Sequence, residues 1–424
     1  MGGAAAARPW AATYAAGLSH PPTRIAVSLA LCLLLVGGQV PGAEAQSPSP
    51  APVVGWSFVR AWLQEFIQDL SDLAASAGTA PGSGDAGDTS GSASTGPTIE
   101  QLIGQKLVVR MAGHTPSSAL LGRISRGEIG GIVLLGSNIT TKAALTALTA
   151  RLQRAAAAGG QPPLLIAVDQ EGGSVRRLKW APPTVTVPSM GRIGSTSIAR
   201  QQGSNTGVAL RRVGVNVDLA PVADIPRSTA AFMYQQGRTF SPQAARTARL
   251  ADAFAAGLAS SGVMATMKHF PGIGLAIRNT DRYVDTVDAT AADLAPDLRP
   301  YRRAIGHDIP LIMLSNATYR AYDSENAAGW SHAIAVTLLR HDLGFQGVTI
   351  TDSLDGTAHA RGVTDTALAV RAAIAGTDMI LMTGSEKTTS RVFAALVAGA
   401  RNGSIPVSTL RASYHRIIAL KKRL

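Results

Sequence analysis

Residues 164–177, LLIAVDQEGGSVRR, decide how this chain of 424 residues folds. The stretch opens with a short apolar run that ends in Asp169, and a second carboxylate, Glu171, and two glycines follow at once. A short run that is apolar almost throughout is typical of a strand covered on both faces, as in a parallel sheet. The glycines allow backbone to approach a ligand closely. The segment therefore predicts a buried strand whose end carries reactive side chains.

Runs of the same kind recur along the chain and alternate with segments of helical period, such as 244–260 and 332–343. The predicted strands are 107–111, 131–135, 164–169, 215–219, 263–268, 311–315, 348–352 and 378–382. Strand–helix alternation with apolar strands indicates an α/β fold in which helices cover a parallel sheet. Eight such units in about 330 residues fit a TIM-like (β/α)8 barrel better than an open sheet.

Several predicted strands end in charged or amide side chains. These are Asp169 with Glu171, Asp218 with Asp224, Lys268 with His269, Asn316, and Asp352. A lone aspartate after a strand is most often a turn residue or a helix cap. In a barrel, however, all of these strand ends lie on one face, which is where barrel enzymes carry their active sites. We therefore expect these groups to form one site.

Three strings carry a family resemblance: DQEGGSVRR from Asp169, KHFPGIG from Lys268, and GVTITDSL, which ends at Leu354. In this order and spacing they resemble glycoside hydrolase family 3, most closely its single-domain bacterial β-N-acetylhexosaminidases, over about residues 97–424. The resemblance implies a (β/α)8 barrel. It also implies a retaining β-glycosidase that hydrolyses terminal β-linked N-acetylglucosamine from cell-wall or chitin-type fragments, without a cofactor.

The resemblance also assigns roles to residues. Asp352 matches the family nucleophile, which forms a glycosyl-aspartate intermediate in a retaining mechanism. A short side chain held at a strand end can be aimed at an anomeric carbon. The matching sugar-binding positions are Asp169, Arg177, Arg238, Lys268 and His269. Asp169 would accept hydrogen bonds from sugar hydroxyls, and the other four would donate them.

The sequence departs from the family at the general acid/base. The family's acetylglucosaminidases carry a histidine after the Lys-His-Phe-Pro-Gly string, whereas this chain has Asp281 at the thirteenth position beyond Lys268. Burial or a like-charged neighbour can raise the pKa of an aspartate enough for it to hold a proton near neutral pH, so Asp281 is the candidate acid/base, with Asp285 the other carboxylate nearby. Two alternatives stay open: a catalytically weak or inactive glycan-binding barrel, and a phosphorylase variant in which inorganic phosphate attacks the intermediate.

Composition argues against several other classes. The net charge is +12, but no basic stripe with interleaved aromatics is present, so nucleic acid is not an expected partner. The single cysteine, Cys32, and the absence of a His-x-x-x-His spacing leave no obvious metal site. The glycine string at Gly272 lacks a third glycine, because Ile277 stands there, so a dinucleotide cofactor is not expected.

The first 96 residues are predicted to lie outside the barrel. Arg24, the apolar run 25–36 and the small residues around Ala45 predict a signal peptide over 1–45, and hence a secreted or cell-envelope protein. That run is too short to span a membrane, and lipid anchoring through Cys32 stays open, as does the oligomeric state. Residues 46–96 are predicted to hold a Pro/Ser-rich segment, a short amphipathic helix and a Gly/Ser linker, ahead of a catalytic barrel over 97–424.

Overall fold

The structure is a computed structural model that describes residues 96–424. The predicted signal peptide, and the predicted amphipathic helix and linker apart from its last residue, lie outside the described residues. None of the helices in the described part of the chain is both long and apolar enough to cross a membrane.

A parallel sheet of eight strands forms the centre of the fold. The strands are β1 (Leu107–Arg110), β2 (Gly131–Val133), β3 (Leu165–Val168), β4 (Val217–Asp218), β5 (Met264–Phe270), β6 (Leu311–Leu314), β7 (Val348–Thr351) and β8 (Ile380–Met382). They are joined in the order β7-β6-β5-β4-β3-β2-β1-β8. A parallel bridge between Ile350 and Met379 brings the two ends of the sheet together. The predicted TIM-like barrel is therefore confirmed, and each predicted strand overlaps an observed one, although β5 runs two residues past its predicted end at Lys268.

Helices surround this sheet. They are Ile99–Lys106, Ser118–Ser125, Lys142–Ala158, Val187–Ile193, Thr196–Arg211, Phe232–Gln235, Ala244–Ala259, Ala291–Leu294, Arg299–Ile305, Leu354–Ala360, Asp365–Ile374, Glu386–Arg401 and Val407–Lys421, with 3-10 turns at Gly136–Asn138 and Ala328–Trp330. The helix predicted over 244–260 matches Ala244–Ala259 closely. The one predicted over 332–343 is wound as a π-helix, Ala333–Asp342, in which each turn takes an extra residue.

Alternate residues on each strand face opposite sides of the sheet. On β3, Leu165 and Ala167 belong to a small cluster that fills the barrel, whereas Ile166 and Val168 pack into the larger core between strands and helices. The barrel interior ends, on the side of the strands' carboxyl ends, in a layer of apolar side chains: Val133, Leu219, Met313 and Leu381. These side chains form the floor of the cavity described next.

Two smaller sheets lie in the connections. After β3 the chain forms an antiparallel hairpin, Gln170–Gly172 with Val175–Arg176. A second small sheet joins Thr286–Val287, Thr318–Tyr319 and Asp323–Ala327. The loop that carries Asp281 lies between β5 and the first strand of this second sheet, so both of its ends are fixed.

Candidate active site

A cavity of about 390 Å³ opens at the carboxyl ends of the barrel strands. Every residue to which the sequence assigned a catalytic or sugar-binding role lines it: Asp169, Arg177, Arg238, Lys268, His269, Asp281 and Asp352; the strand-end residues Asp218, Asp224 and Asn316, which were expected to join the same site, do not. The lining residues are far apart in the chain and are brought together because parallel strands present all their carboxyl ends on one face. The cavity's lower wall is apolar and its upper wall is polar, an arrangement common in small-molecule sites.

Asp352 follows β7 directly, and its backbone N–H donates to the carbonyl of Leu314 on the neighbouring strand at 2.9 Å. Its Oδ1 accepts from the backbone N–H of Ser353 at 2.7 Å. The side chain stays 17% exposed, towards the cavity. One carboxylate oxygen is thus held by the backbone, and the other, Oδ2, is free to meet a ligand.

A buried pair of side chains stands beside the nucleophile candidate. His269 Nδ1 lies 2.7 Å from Asp224 Oδ2, and His269 Nε2 lies 3.9 Å from Asp352 Oδ2. Asp224 Oδ1 already accepts from the backbone N–H of Ile273 at 2.9 Å, so Oδ2 is left to accept from Nδ1. In the neutral ring Nε2 is then an acceptor. The expectation that His269 donates to the sugar therefore holds only for its protonated form.

Five charged side chains form an ion-pair cluster along one wall, and the sequence had placed four of them as separate sugar contacts. Lys268, 2% exposed, donates to Asp169 Oδ1 at 2.9 Å and lies 2.7 Å from Glu171 Oε1. Arg238 contacts both oxygens of Glu171, at 2.7 and 2.8 Å, and Arg177 contacts Asp169 at 3.1 Å. Glu171 is thus the centre of the cluster and locks two cations in place.

This cluster keeps its carboxylates ionised. Burial alone would raise the pKa of Asp169, but the charges of Lys268 and Arg177 outweigh it and hold the pKa well below its usual range. Burial also acts to raise the pKa of Glu171, and Arg238 and Lys268 overcome it and lower the pKa to about 2. The reverse holds for the cation, because Asp169 and Glu171 raise the pKa of Lys268 against the effect of burial. Arg177 keeps the most exposure, at 34%, and Asp169 and Arg238 are each 16% exposed, so these three members are the best placed to meet a sugar.

Asp281 has the opposite protonation preference. Burial and the negative charge of Asp352 raise its pKa to about 7, although His269, Asn316 and Arg238 act in the other direction. Its backbone N–H donates to Asn279 Oδ1 at 2.9 Å, which shapes the loop. Asp281 can therefore carry a proton near neutral pH while lining the same cavity as Asp352.

The loop that carries Asp281 packs against the helix that follows Asp352. A Cβ atom built on Gly356 of that helix would lie 2.3 Å from the carbonyl oxygen of Asp281, so only glycine fits at this contact. Asp285, the other carboxylate considered on this loop, does not line the cavity, and its Oδ2 accepts from the backbone N–H of Arg278 at 3.2 Å. Its position is that of a loop-stabilising residue.

Two residues noted only as polar strand ends take specific positions. Asn316 follows β6, and its Nδ2 donates to Asp281 Oδ1 at 3.1 Å and to the Ser353 carbonyl at 2.9 Å. Asp218 lies fully buried; its Oδ1 accepts from the Gln170 N–H at 2.9 Å, and burial raises its pKa to about 8. Their sequence signal was a polar residue after an apolar run, which does not show what the side chain contacts.

Nowhere in residues 96–424 do three His, Cys, Asp or Glu side chains stand together in a way that could hold a metal ion.

The chain is similar to known proteins in sequence and in fold. The chain matches the family model described as glycosyl hydrolase family 3 N terminal domain over residues 98–420. It is 33% identical over 332 residues to an uncharacterized secreted glycosyl hydrolase of Arthroderma benhamiae, covering 76% of this chain and 92% of the relative. It is also 33% identical over 287 residues to a beta-hexosaminidase of Nitrosomonas eutropha, covering 65% of this chain and 80% of the relative.

Two solved structures are similar to this chain in fold. A family 3 β-N-acetylglucosaminidase from a Paenibacillus species superposes with a TM-score of 0.72 at 30% identity, covering 77% of this chain and 63% of that one. A β-N-acetylhexosaminidase from Beutenbergia cavernae also gives a TM-score of 0.72 at 30% identity, covering 77% of this chain and 99% of that one.

Proposed function

The chain belongs to glycosyl hydrolase family 3 and is a glycoside hydrolase, and we propose that it acts as a retaining β-N-acetylhexosaminidase. In this proposal Asp352 is the nucleophile and Asp281 is the general acid/base. The observation that carries the proposal is the environment of Asp281, which lines the same cavity as Asp352. Burial and the charge of Asp352 raise the pKa of Asp281 to about 7. A carboxyl group that can hold a proton near neutral pH, beside a second carboxyl group, is what acid–base catalysis at a glycosidic bond requires.

The first step forms the covalent intermediate. Asp352 Oδ2 attacks C1 of the sugar, and the bond between C1 and the leaving oxygen breaks. Protonated Asp281 gives its proton to that oxygen, so the leaving group departs as a neutral alcohol. The positive charge that develops at the ring is stabilised by the ionised Asp352, whose Oδ1 is fixed by the Ser353 N–H.

The second step releases the sugar. Ionised Asp281 takes a proton from a water molecule, and the water oxygen attacks C1 on the face that the leaving group vacated. The bond between C1 and Asp352 breaks, and the carboxylate is restored. Two displacements at C1 leave the β configuration unchanged, so the account requires retention.

The ion-pair cluster supports sugar binding beside these two groups. Asp169 can accept from a hydroxyl while Arg177 and Lys268 hold it ionised. The beta-hexosaminidase relative and the β-N-acetylglucosaminidase structure support N-acetylglucosamine as the sugar that is released. We propose that it is the terminal β-linked sugar of cell-wall or chitin-type saccharides. Export through the predicted signal peptide is supported by the secreted relative.

His269 offers a second candidate for the proton carrier. Its Nε2 lies 3.9 Å from Asp352 Oδ2, and its Nδ1 is held by Asp224. That short distance, together with the hydrogen bond to Asp224, holds the ring beside the nucleophile. The position of His269 fits a role in orienting Asp352 better than it fits the delivery of a proton to the leaving oxygen.

The test compares substrates with good and poor leaving groups. The purified chain is assayed on a nitrophenyl N-acetyl-β-glucosaminide and on chitobiose, with and without phosphate. We expect Asp352→Ala to abolish turnover of both, and Asp281→Ala to lose chitobiose hydrolysis while retaining part of the nitrophenyl activity, because nitrophenolate leaves without a proton. Azide should restore nitrophenyl turnover in Asp281→Ala by attacking the intermediate.

Each alternative has its own outcome. Release of sugar 1-phosphate that depends on phosphate supports a phosphorylase, and sugar binding without turnover supports an inactive barrel. Loss of chitobiose activity in His269→Ala but not in Asp281→Ala assigns the acid to His269. Asp288→Ala is the matched control, since Asp288 is an exposed carboxylate close to Asp281 in the sequence and does not line the cavity.

A further inference from the structure

Asn316 links the two loops that carry the proposed catalytic aspartates. The residue is fully buried two positions after β6, the strand that pairs with the strand leading to Asp352. Its side-chain Nδ2 donates to Asp281 Oδ1 at 3.1 Å and to the backbone carbonyl of Ser353 at 2.9 Å. One amide nitrogen therefore fixes the Asp281 carboxyl relative to the backbone next to Asp352.

The other end of this amide is unusual. Asn316 Oδ1 is buried and accepts no hydrogen bond from any described residue. A buried acceptor without a partner destabilises the fold, and an apolar side chain of the same shape would avoid that cost. The position nevertheless holds an amide, which indicates that its donor end has a use.

We propose that Asn316 is a positioning residue for acid–base catalysis: by donating to Oδ1 of Asp281 it makes Oδ2 the oxygen that carries and recovers the catalytic proton. The inference rests on the proposed role of Asp281. A carboxyl oxygen that accepts an N–H bond acts as the carbonyl oxygen in the protonated form. Asp281 Oδ2 accepts no hydrogen bond from the described residues and remains available for a substrate.

The same hydrogen bond also affects the protonation of Asp281. The charged and titratable groups that act on Asp281 are Asp352, which disfavours its ionised form, and His269 and Arg238, which favour it. Asn316 adds a donor that also favours the ionised form, so it opposes the effects of burial and Asp352. An acid/base residue must hold the proton in one step and lose it in the other, and a donor on Oδ1 keeps both states accessible.

The test is the pH profile of Asn316→Leu, which keeps the approximate volume and removes the donor. On chitobiose we expect kcat/KM at pH 6 to fall about tenfold and the alkaline limb to move up by about one pH unit, because the ionised form of Asp281 loses a hydrogen bond. Turnover of the nitrophenyl glycoside should fall less. If Asn316→Leu folds and the alkaline limb of its pH profile lies at the same pH as in the wild type, the proposal is overturned. If Asn316→Leu does not fold, the same profile is measured with Asn316→Ala.

A matched control separates positioning from general destabilisation. Asn216 is a buried asparagine whose side chain bonds only backbone groups of Ile166 and Leu164, and it does not line the cavity. Asn216→Ala should lower the melting temperature without moving the alkaline limb. If Asp281→Ala itself leaves chitobiose hydrolysis intact, the proposed function fails; if Asp281→Ala loses it but Asn316→Leu leaves the limb in place, only this inference fails.

Discussion

Replacing Gly356 with alanine should impair protonation of the leaving group although no catalytic residue is replaced. The added Cβ would lie 2.3 Å from the carbonyl oxygen of Asp281, whereas ordinary contacts begin at 3.4 Å. The helix Leu354–Ala360 and the loop that carries Asp281 must therefore separate by about 1.1 Å. A displacement of about 1 Å at a catalytic group can cost roughly 100-fold in rate. We expect kcat/KM for chitobiose to fall by about that factor.

The assay compares chitobiose with the nitrophenyl glycoside in the same preparation. Because nitrophenolate needs no proton, its release should fall by less than about tenfold. The measured quantity is therefore the loss of kcat/KM on chitobiose relative to the loss on the nitrophenyl glycoside. Gly136→Ala is the control, since no atom lies within 4 Å of the Cβ it would add. Equal losses on both substrates, or no loss on chitobiose, would refute the reasoning about this contact.

Three further predictions concern charge. Chitobiose hydrolysis should decline as the pH rises above about 7, because Asp281 then loses the proton it donates; a kcat that stays flat to pH 9 contradicts this. Burial raises the pKa of Asp218 to about 8, above its unfolded value near 4, so wild-type stability should fall as the pH rises through that window. Asp218→Asn should remove the fall in thermal unfolding scans at pH 5 and pH 9, and an unchanged difference between them argues against a neutral Asp218. Lys268→Met should destabilise the fold by roughly 3–5 kcal/mol in urea titrations, since it leaves Asp169 and Glu171 with one fewer buried cation; wild-type stability in that variant would contradict the ion-pair account.

The barrel could be predicted from the sequence because each strand is a short apolar run, and such a run has few other stable placements. Some residues that line the site were equally accessible, since Asp169, Lys268 and Asp352 each follow an apolar run and parallel strands place these ends together. Arg177, Arg238 and Asp281 were assigned only through the resemblance to glycoside hydrolase family 3. The winding of Ala333–Asp342 was not accessible, because π-helices are too rare for an apolar pattern of this length to favour one over an α-helix.

The other features that could not be predicted from the sequence depend on contacts between distant parts of the chain. From the sequence Arg238 is expected to donate to the sugar, whereas both of its bonds to carboxylate go to Glu171. The sequence shows Asn316 as a strand end but not that its amide reaches Asp281, 35 residues earlier in the chain. Likewise, the need for glycine at position 356 depends on where the loop that carries Asp281 crosses the helix, which local propensity does not determine.

Covalent trapping shows which residue attacks the sugar, and the proposed mechanism requires that residue to be Asp352. The chain is incubated with a 5-fluoro derivative of N-acetylglucosaminyl fluoride, which slows release of the intermediate, and is then digested and sequenced by mass spectrometry. We expect one added sugar on the peptide that contains residues 348–354, with the label on Asp352 and no label in Asp352→Ala. A label on another residue, or turnover of the reagent without any labelled peptide, would contradict the account.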